Sequence, residues 1–440
     1  MTLHGEVTRN RAESTNRARC ARESSRSSVA PAYPAAVSAA HDVMSTYGSA
    51  IDHFLGVHEA ELIEFRRDLH SRPELSGQEY LTTAAVGRRL REAGLRPEPL
   101  RVGTGLTCDV GGVGGPVVAL RADLDALAMK DGSHTAYRSE FDGVAHSCGH
   151  DVHTTIVLGA GLLLHQLLGE AQATVRLIFE PSEEEVPGGA VDVIEEGRLK
   201  DVQAIFALHC DPKLDAGLVG TRSGPITSAA DLVEITLTGP GGHTARPHLT
   251  VDLLAVAGRL LTQLSDEVAA HAADVGPLSL VFGAVHGGDA ANVIPAEVLL
   301  RASLRTPNPH AWMRAPAIIE AAVHALVDAS GAVVTVKHRR GVPPVDNDAA
   351  ATALLEEAAI AALGEGCLRE ADHSLGGDSF AWYAKQTQGS YARLGVHDPR
   401  AGAARKDLHS ADFDVDERSI GYGVRLLVVA ALTAIKTIEN

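Results

Sequence analysis

Ala145-His146-Ser147-Cys148-Gly149-His150-Asp151-Val152-His153-Thr154 places one thiol and three imidazoles within eight residues, just ahead of the apolar segment 156–168. Neutral imidazole and thiolate are the side chains that hold borderline-soft divalent metals. A lone buried histidine is usually a satisfied core residue, and a lone cysteine is usually a small hydrophobe. Four such groups packed before a helix are poorly explained by packing. Gly149, between Cys148 and His150, lets the backbone bend so that both side chains point at one centre.

Working outward, residues 117–125, Val-Val-Ala-Leu-Arg-Ala-Asp-Leu-Asp, read as a buried strand ending in Asp123 and Asp125. Functional carboxylates of open α/β sheets collect at such carboxyl ends; a helix cap or a turn is the plain alternative. On the other side, the apolar run 173–179 ends in Glu180-Pro181-Ser182-Glu183-Glu184-Glu185. An acidic run is usually a solvated face, but this one follows a buried strand. Adjacent residues of an extended chain point to opposite sides. One glutamate can then ligate a metal while its neighbour faces the water that the metal activates, which is the division that hydrolysis needs. A further strand, 204–209, carries His209 at its carboxyl end near Asp211, and His409 stands near Asp412 in Leu408-His409-Ser410-Ala411-Asp412. Each histidine alone is ordinary; together they bring the set to the size that two metals require.

Strands and helices alternate from residue 107 to 209, which predicts an α/β fold with a largely parallel sheet covered by helices. Near Gly224 the texture changes. A half-buried strand at 231–239, a helix at 251–270, strands at 278–286 and 296–305, a helix at 311–330 and a strand at 332–339 suit an α+β layer of antiparallel strands backed by two helices. This layer reads as an insertion, because a helix at 349–363 and a core strand at 391–394 follow it. The expected division is a tail at 1–46, a catalytic domain at 47–225 and 341–440, and an inserted domain at 226–340.

The tail is rich in Arg, Ser, Ala and Pro without apolar periodicity and reads as disordered, ahead of helices at about 49–72 and 82–93, the second closed by Gly94. A chain of 440 residues predicts two domains. The net charge of -17 argues against nucleic acid as a partner. No apolar run reaches the roughly 18–20 residues that span a membrane, and no apolar segment follows the N-terminal arginines as in a secretory signal. The five cysteines, Cys20, Cys108, Cys148, Cys210 and Cys367, form no CxxC pair, which suits a reduced, cytoplasmic protein.

Taken in order, Arg-Ala-Asp-Leu-Asp-Ala-Leu from Arg121, the Cys148 stretch, Phe-Glu-Pro-Ser-Glu-Glu from Phe179, Ala-Leu-His ending at His209, Gly-Gly-His-Thr-Ala-Arg-Pro-His from Gly241, Gly-Gly-Asp-Ala-Ala-Asn-Val-Ile-Pro from Gly287 and Leu-His-Ser from Leu408 resemble the M20 metallopeptidase family. The chain is most similar to that family's amidohydrolase subgroup, which contains N-acyl-amino-acid amidohydrolases, hippurate hydrolases and auxin-conjugate hydrolases. The resemblance runs from about Glu59 to the C-terminus, and the Cys148 block is its most specific part.

The resemblance implies two divalent metal ions per subunit, zinc or manganese, and an inserted domain that lids the site and pairs two chains into a homodimer. Carried over position by position, the metal ligands are Cys148, His150, Glu184, His209 and His409, with Cys148 as the bridge. Glu183 is the general base and acid. His243 polarises the scissile carbonyl and reaches into the partner subunit's site. Asn292 and Arg246 contact substrate, while Asp151 and Asp123 orient ligands from behind. The chain departs from the family pattern at Ala128, Arg246 and Asp378-Ser379, positions that touch the pocket walls more than the metals. The implied reaction is hydrolysis of an N-acyl amino acid or a related small acyl-amide, with no nucleic-acid or membrane partner. A dipeptidase or carboxypeptidase with the same centre, and a catalytically silent metal-binding homologue, are the alternatives. Intact ligand and base positions count against the second.

Overall fold

In the computed structural model, which describes residues 34–439 except 170, 401, 403 and 404, the apolar runs flanking the Cys148 stretch form the middle of a sheet. The chain opens with α1 (Pro34–Ser71), α2 (Tyr80–Glu92), β1 (Glu98–Pro99), β2 (Leu106–Gly111), β3 (Val117–Asp123) and α3 (His150–Leu168). It continues through β4 (Thr174–Glu180), α4 (Ala190–Glu195), β5 (Ala204–Asp215), β6 (Val219–Thr221) and β7 (Gly224–Pro225). A second group comprises β8 (Ala229–Thr238), β9 (Gly242–His243), α5 (Leu253–His271), β10 (Ser279–His286), β11 (Val293–Ile294), β12 (Glu297–Thr306), α6 (Pro309–Val327) and β13 (Val333–Val342). The chain then returns as β14 (Asp346–Asn347), α7 (Ala349–Leu363), β15 (Leu368–Glu370), α8 (Phe380–Ala384), β16 (Gln388–His397) and α9 (Arg418–Glu439).

The first sheet has the order β1-β2-β4-β3-β5-β16-β6-β15. Its four central strands, β4, β3, β5 and β16, are parallel, as the alternation of strand and helix predicts. Antiparallel pairs join β1 to β2, β2 to β4 and β6 to β16, so the sheet is mixed. Central parallel strands are apolar on both faces because helices cover both. Val118, Leu120, Leu177 and Phe206 point into the core with α3 and α9, while Ala119, Ile178 and Ile205 belong to a separate cluster with α4 and α8. The second sheet, β10-β12-β8-β13, is antiparallel throughout. Alternate residues of β8, Val233, Ile235 and Leu237, pack with Leu260 of α5 and Ile319 of α6. The predicted α/β architecture with an added antiparallel layer is the one found.

Between the two sheets, β7 and β14 pair antiparallel, with Asp346 opposite Pro225 and Asn347 opposite Gly224. The chain therefore leaves the first sheet and returns to it at one place.

Two expectations need correction. Helix α1 starts at Pro34, so residues 34–46 are helical rather than part of a disordered tail. Ala39, Ala40, Val43 and Ile51 are buried at helical spacing, and alanine carries helix propensity without an obvious apolar signal. Residues 1–33 of that tail lie outside the described residues. Also, α3 and α9 are long and apolar enough by length and composition to cross a membrane. The polar groups His150, Asp151 and His165 in α3 and Arg425 in α9 interrupt their apolar runs. Each helix has 78% of its most apolar window buried within the protein, as core helices do. Cys108, Cys148, Cys210 and Cys367 are buried and unbridged; Cys20 lies outside the described residues.

Candidate metal centre

Helix α3 begins at His150, with Gly149 as its N-cap in the left-handed region at φ 88°. A Cβ at Gly149 would meet Cys210 Sγ at 2.7 Å, so only glycine fits this turn. The turn brings Cys148 and His150 to one point beside His209 of β5, with one ligand atom of each within 4.8 Å of the others. A second triad, Cys148, Glu184 and His409, meets the same limit. Cys148 Sγ lies 3.5 Å from His209 Nε2 and 3.3 Å from His409 Nε2. Glu184 Oε1 lies 3.3 Å from His409 Nε2 and 3.8 Å from His150 Nε2. The structure thus gathers all five sequence-predicted ligand positions, and Cys148 belongs to both triads.

The positions come from the start of α3, the turn after β4, the middle of β5 and the loop before α9; β5 continues to Asp215, so His209 is not at the strand's carboxyl end as the sequence suggested. His409 has φ 60°, a left-handed backbone that non-glycine residues seldom adopt. Its N–H donates to the Ser147 carbonyl at 2.8 Å, which fixes this distant loop against the Cys148 stretch. The two glutamates do not divide as neighbours on an extended strand. Residues 183–185 form a turn, entered through Ser182 at φ 55°. Glu183 Oε1 accepts the Ser379 N–H at 3.1 Å, while Glu184 faces His150 and His409. Burial, then the charges of Asp378 and Glu184, push the Glu183 carboxyl well above the usual range.

Groups behind the predicted ligand positions set their direction. His150 Nδ1 lies 3.2 Å from Asp125 Oδ1, and His209 Nδ1 donates to the Cys210 carbonyl at 2.9 Å. Both imidazoles therefore keep Nε2 for the centre. Asp125 Oδ2 accepts from Ser76 Oγ at 2.7 Å and from the Glu184 N–H at 2.9 Å, so one carboxylate positions two of the ligand residues. The sequence signal for Asp125 was its place as the second aspartate after β3, although only Asp123 was predicted as a site residue. Asp125→Ala is expected to lower metal affinity by about 10–100-fold with the fold retained, measured by metal titration and circular dichroism.

Asp123 acts one step further out. Its Oδ1 lies 2.7 Å from His153 Nδ1 and its Oδ2 accepts from Arg121 Nη1 at 2.7 Å. His153 Nε2 accepts the Cys210 N–H at 2.8 Å, so the proton sits on Nδ1 and both ring nitrogens are used. His153 is a pillar under Cys210 and Asp123, not a ligand, although it lies near His150. Arg121 also donates to Glu180 at 2.7 Å and to Ser379 Oγ at 2.9 Å, which joins the strand ends to the loop carrying Glu183's backbone donor.

Asp151 does not orient a predicted ligand. Successive helix residues are rotated by about 100°, so Asp151 turns away from the direction of His150. Its Oδ2 accepts from Arg66 Nε at 2.6 Å and lies 2.8 Å from His70 Nδ1. Burial would raise this carboxyl, but Arg66 and His70 overcome it and hold the group far below the usual range. The pair contributes its full stability above about pH 4, the unfolded carboxyl value, and loses it as pH falls toward the folded value. Arg66→Met strands a buried carboxylate and is expected to cost about 3–5 kcal/mol, read by urea denaturation at pH 7.

The donor set fits divalent cations. His150 Nε2 and Glu184 Oε1 are buried without a hydrogen-bond partner, and both face the centre. Burial pushes the Cys148 thiol up, so its thiolate needs a strong positive neighbour. Burial alone would lower His150, but Asp123 and Cys148 raise it well above its ordinary value.

A cleft of about 300 Å³ opens over the centre. Cys148, Glu183, Glu184, His209 and His409 line its floor, while Ala230, Arg305 and Val342 of the second sheet form one wall. Asp378 and Tyr391 with Arg393 of β16 complete it. His243, Arg246 and Asn292 do not line this cleft. All three are exposed, with His243 of β9 opposite Val293 of β11 and the Thr244 N–H donating to the Asn292 carbonyl.

The model of peptidase family M20/M25/M40 matches residues 119–433. A Rhodococcus jostii (strain RHA1) protein named putative glutamate--cysteine ligase 2-3 is 44% identical over 86% of this chain, which spans 47% of that relative's length. The N-acetyl-L-cysteine deacetylase of Bacillus subtilis (strain 168) is 34% identical over 82% of this chain and 85% of its own. A solved Bacillus subtilis structure, described as a dinuclear metal-binding peptidase, matches with a TM-score of 0.76 at 31% identity, covering 86% of this chain and 99% of that one.

Proposed function

The chain belongs to peptidase family M20/M25/M40, and on that premise we propose that it is a binuclear metal-dependent amidohydrolase of N-acyl amino acids. Amide-bond hydrolysis is the chemistry named for the family, the deacetylase relative and the solved peptidase; the two-metal centre and the substrate are the added reading. One observation carries it: Cys148 is shared by two ligand triads, with Glu183 beside both. His150 and His209 would hold one ion with Cys148, and Glu184 and His409 would hold the other with the same thiol. Zinc or manganese, when bound, would polarise the scissile carbonyl and lower the pKa of water at neutral pH.

Glu183 removes the proton from the attacking water and returns it to the leaving nitrogen. The Ser379 N–H holds one of its oxygens, leaving the other for proton transfer. His243, exposed on β9 and outside its own cleft, fits a role in the site of a second copy of the chain, with Asn292 and Arg246 beside that surface. There its imidazole would support the developing oxyanion. The inserted segment 226–340 would then serve as lid and dimer contact.

The test is metal analysis with a hydrolysis screen on one preparation of N-acyl amino acids and free dipeptides. Cleavage of blocked substrates supports the reading. Preference for a free α-amine turns it to a dipeptidase, and metal binding without any turnover sinks the catalytic assignment.

A further inference from the structure

Two arginines of the cleft, Arg305 and Arg393, have no part in the reaction described above, and Arg393 is the more deeply buried. Arg393 of β16 is 8% exposed. Its guanidinium makes one hydrogen bond, Nη1 donating to Tyr391 Oη at 3.1 Å, and its carbon sits 5.0 Å from the centroid of that ring. Among the described residues no carboxylate pairs with it. The other deeply buried arginines differ: Arg66 meets Asp151 at 2.6 Å, and Arg121 meets Asp123 and Glu180 at 2.7 Å. A buried guanidinium is costly to desolvate without an anion, and proteins rarely leave one unpaired.

Its position is specific. Arg393 lies opposite His209 in the parallel register of β16 and β5, so it stands one strand from the metal cluster. Tyr391, two residues earlier, shares its face of the strand. Burial, with the Asp378 carboxylate that faces the Tyr391 hydroxyl, holds the phenol well above its ordinary value. With one N–H used, the remaining fork of donors is open to the cleft, and that planar fork matches a carboxylate in two parallel hydrogen bonds.

We propose that Arg393 is a specificity-determining residue that receives the α-carboxylate of the amino acid on the leaving side of the scissile amide. The assignment rests on the N-acyl amino acid reading above. In such a substrate the carboxylate hangs from the carbon bearing the scissile nitrogen. Its receptor must therefore stand directly beside the metal cluster, where Arg393 is. The acyl side carries no charge to be read.

Binding separates this assignment from catalysis. Metal-loaded Glu183→Gln protein is titrated calorimetrically with N-acetyl-L-methionine and with its primary amide, N-acetyl-L-methioninamide. The acid is expected to bind about 10–100-fold more tightly than the amide. Adding Arg393→Gln removes that preference, Arg393→Lys keeps part of it, and Tyr391→Phe weakens it. Should the glutamine variant fail to fold, the lysine and phenylalanine variants carry the same comparison. Equal affinity for acid and amide, no binding of either, or an unchanged preference in the folded variants overturns the proposal. Turnover of the acid is scored separately on the unmodified protein. An intact acid preference without turnover sinks the amidohydrolase reading and leaves Arg393 as a carboxylate receptor.

Discussion

Glu183→Gln is expected to lower kcat by about 10²–10⁴-fold, the range for a general base, while metal content stays the same. The substitution is nearly isosteric, and the glutamine oxygen can still accept the Ser379 N–H. What it removes is the capacity to carry a proton from water to the leaving nitrogen. A second readout distinguishes this from simple damage. Glutamine keeps the volume of the side chain and the acceptor for the Ser379 N–H, so Tm is expected to stay unchanged. A loss of less than tenfold in kcat, with metal retained, removes Glu183 from the mechanism.

Cys148→Ala is expected to abolish the binding of both ions, because the thiol belongs to both triads. His209→Ala and His409→Ala each take a ligand from one triad and are expected to retain one ion more readily. A metal bound there would contribute several kcal/mol to transition-state charge stabilisation. At about 1.4 kcal/mol per tenfold, Cys148→Ala is expected to lower kcat/KM by roughly a thousandfold or more. Metal stoichiometry by plasma mass spectrometry makes the comparison. Two ions retained in Cys148→Ala contradict a shared ligand.

Residues whose chemistry is concentrated in a short stretch could be read before folding. Cys148 and His150 declare themselves through their neighbours, Glu183 and Glu184 through the strand that ends just before them, and His209 through the apolar run that leads into it. The central strands were equally plain, because burial on both faces leaves continuous apolar runs such as β3. Groups defined by partners far along the chain were hidden. Arg66 acquires its role from Asp151, 85 residues away, and Arg121 from Ser379, 258 residues away. Asp125 and His153 were visible as residue types, but their tasks depend on which ring nitrogen meets which oxygen. Arg393 sits in a strand buried from Gly389 to Val396, and only the cleft above it makes an unpaired charge meaningful. Asp151 shows the converse: its neighbour His150 suggested a role that helical rotation gives to another partner.

The short pairing of β7 with β14 bears on how the chain can fold and change. It holds residues 225 and 346 one strand spacing apart, roughly 5 Å. To the first sheet, everything between them is a loop whose ends are already together. Closure entropy grows with the logarithm of length, at about 0.6 kcal/mol per doubling. A whole second hydrophobic core can thus hang from this clasp with little kinetic or thermodynamic burden on the first. Insertions or deletions within 226–345 would reshape the cleft wall through Ala230, Arg305 and Val342, while the turn after β4 that carries Glu184 and the strand β5 that carries His209 stay fixed. The clasp lets substrate choice drift independently of the reaction.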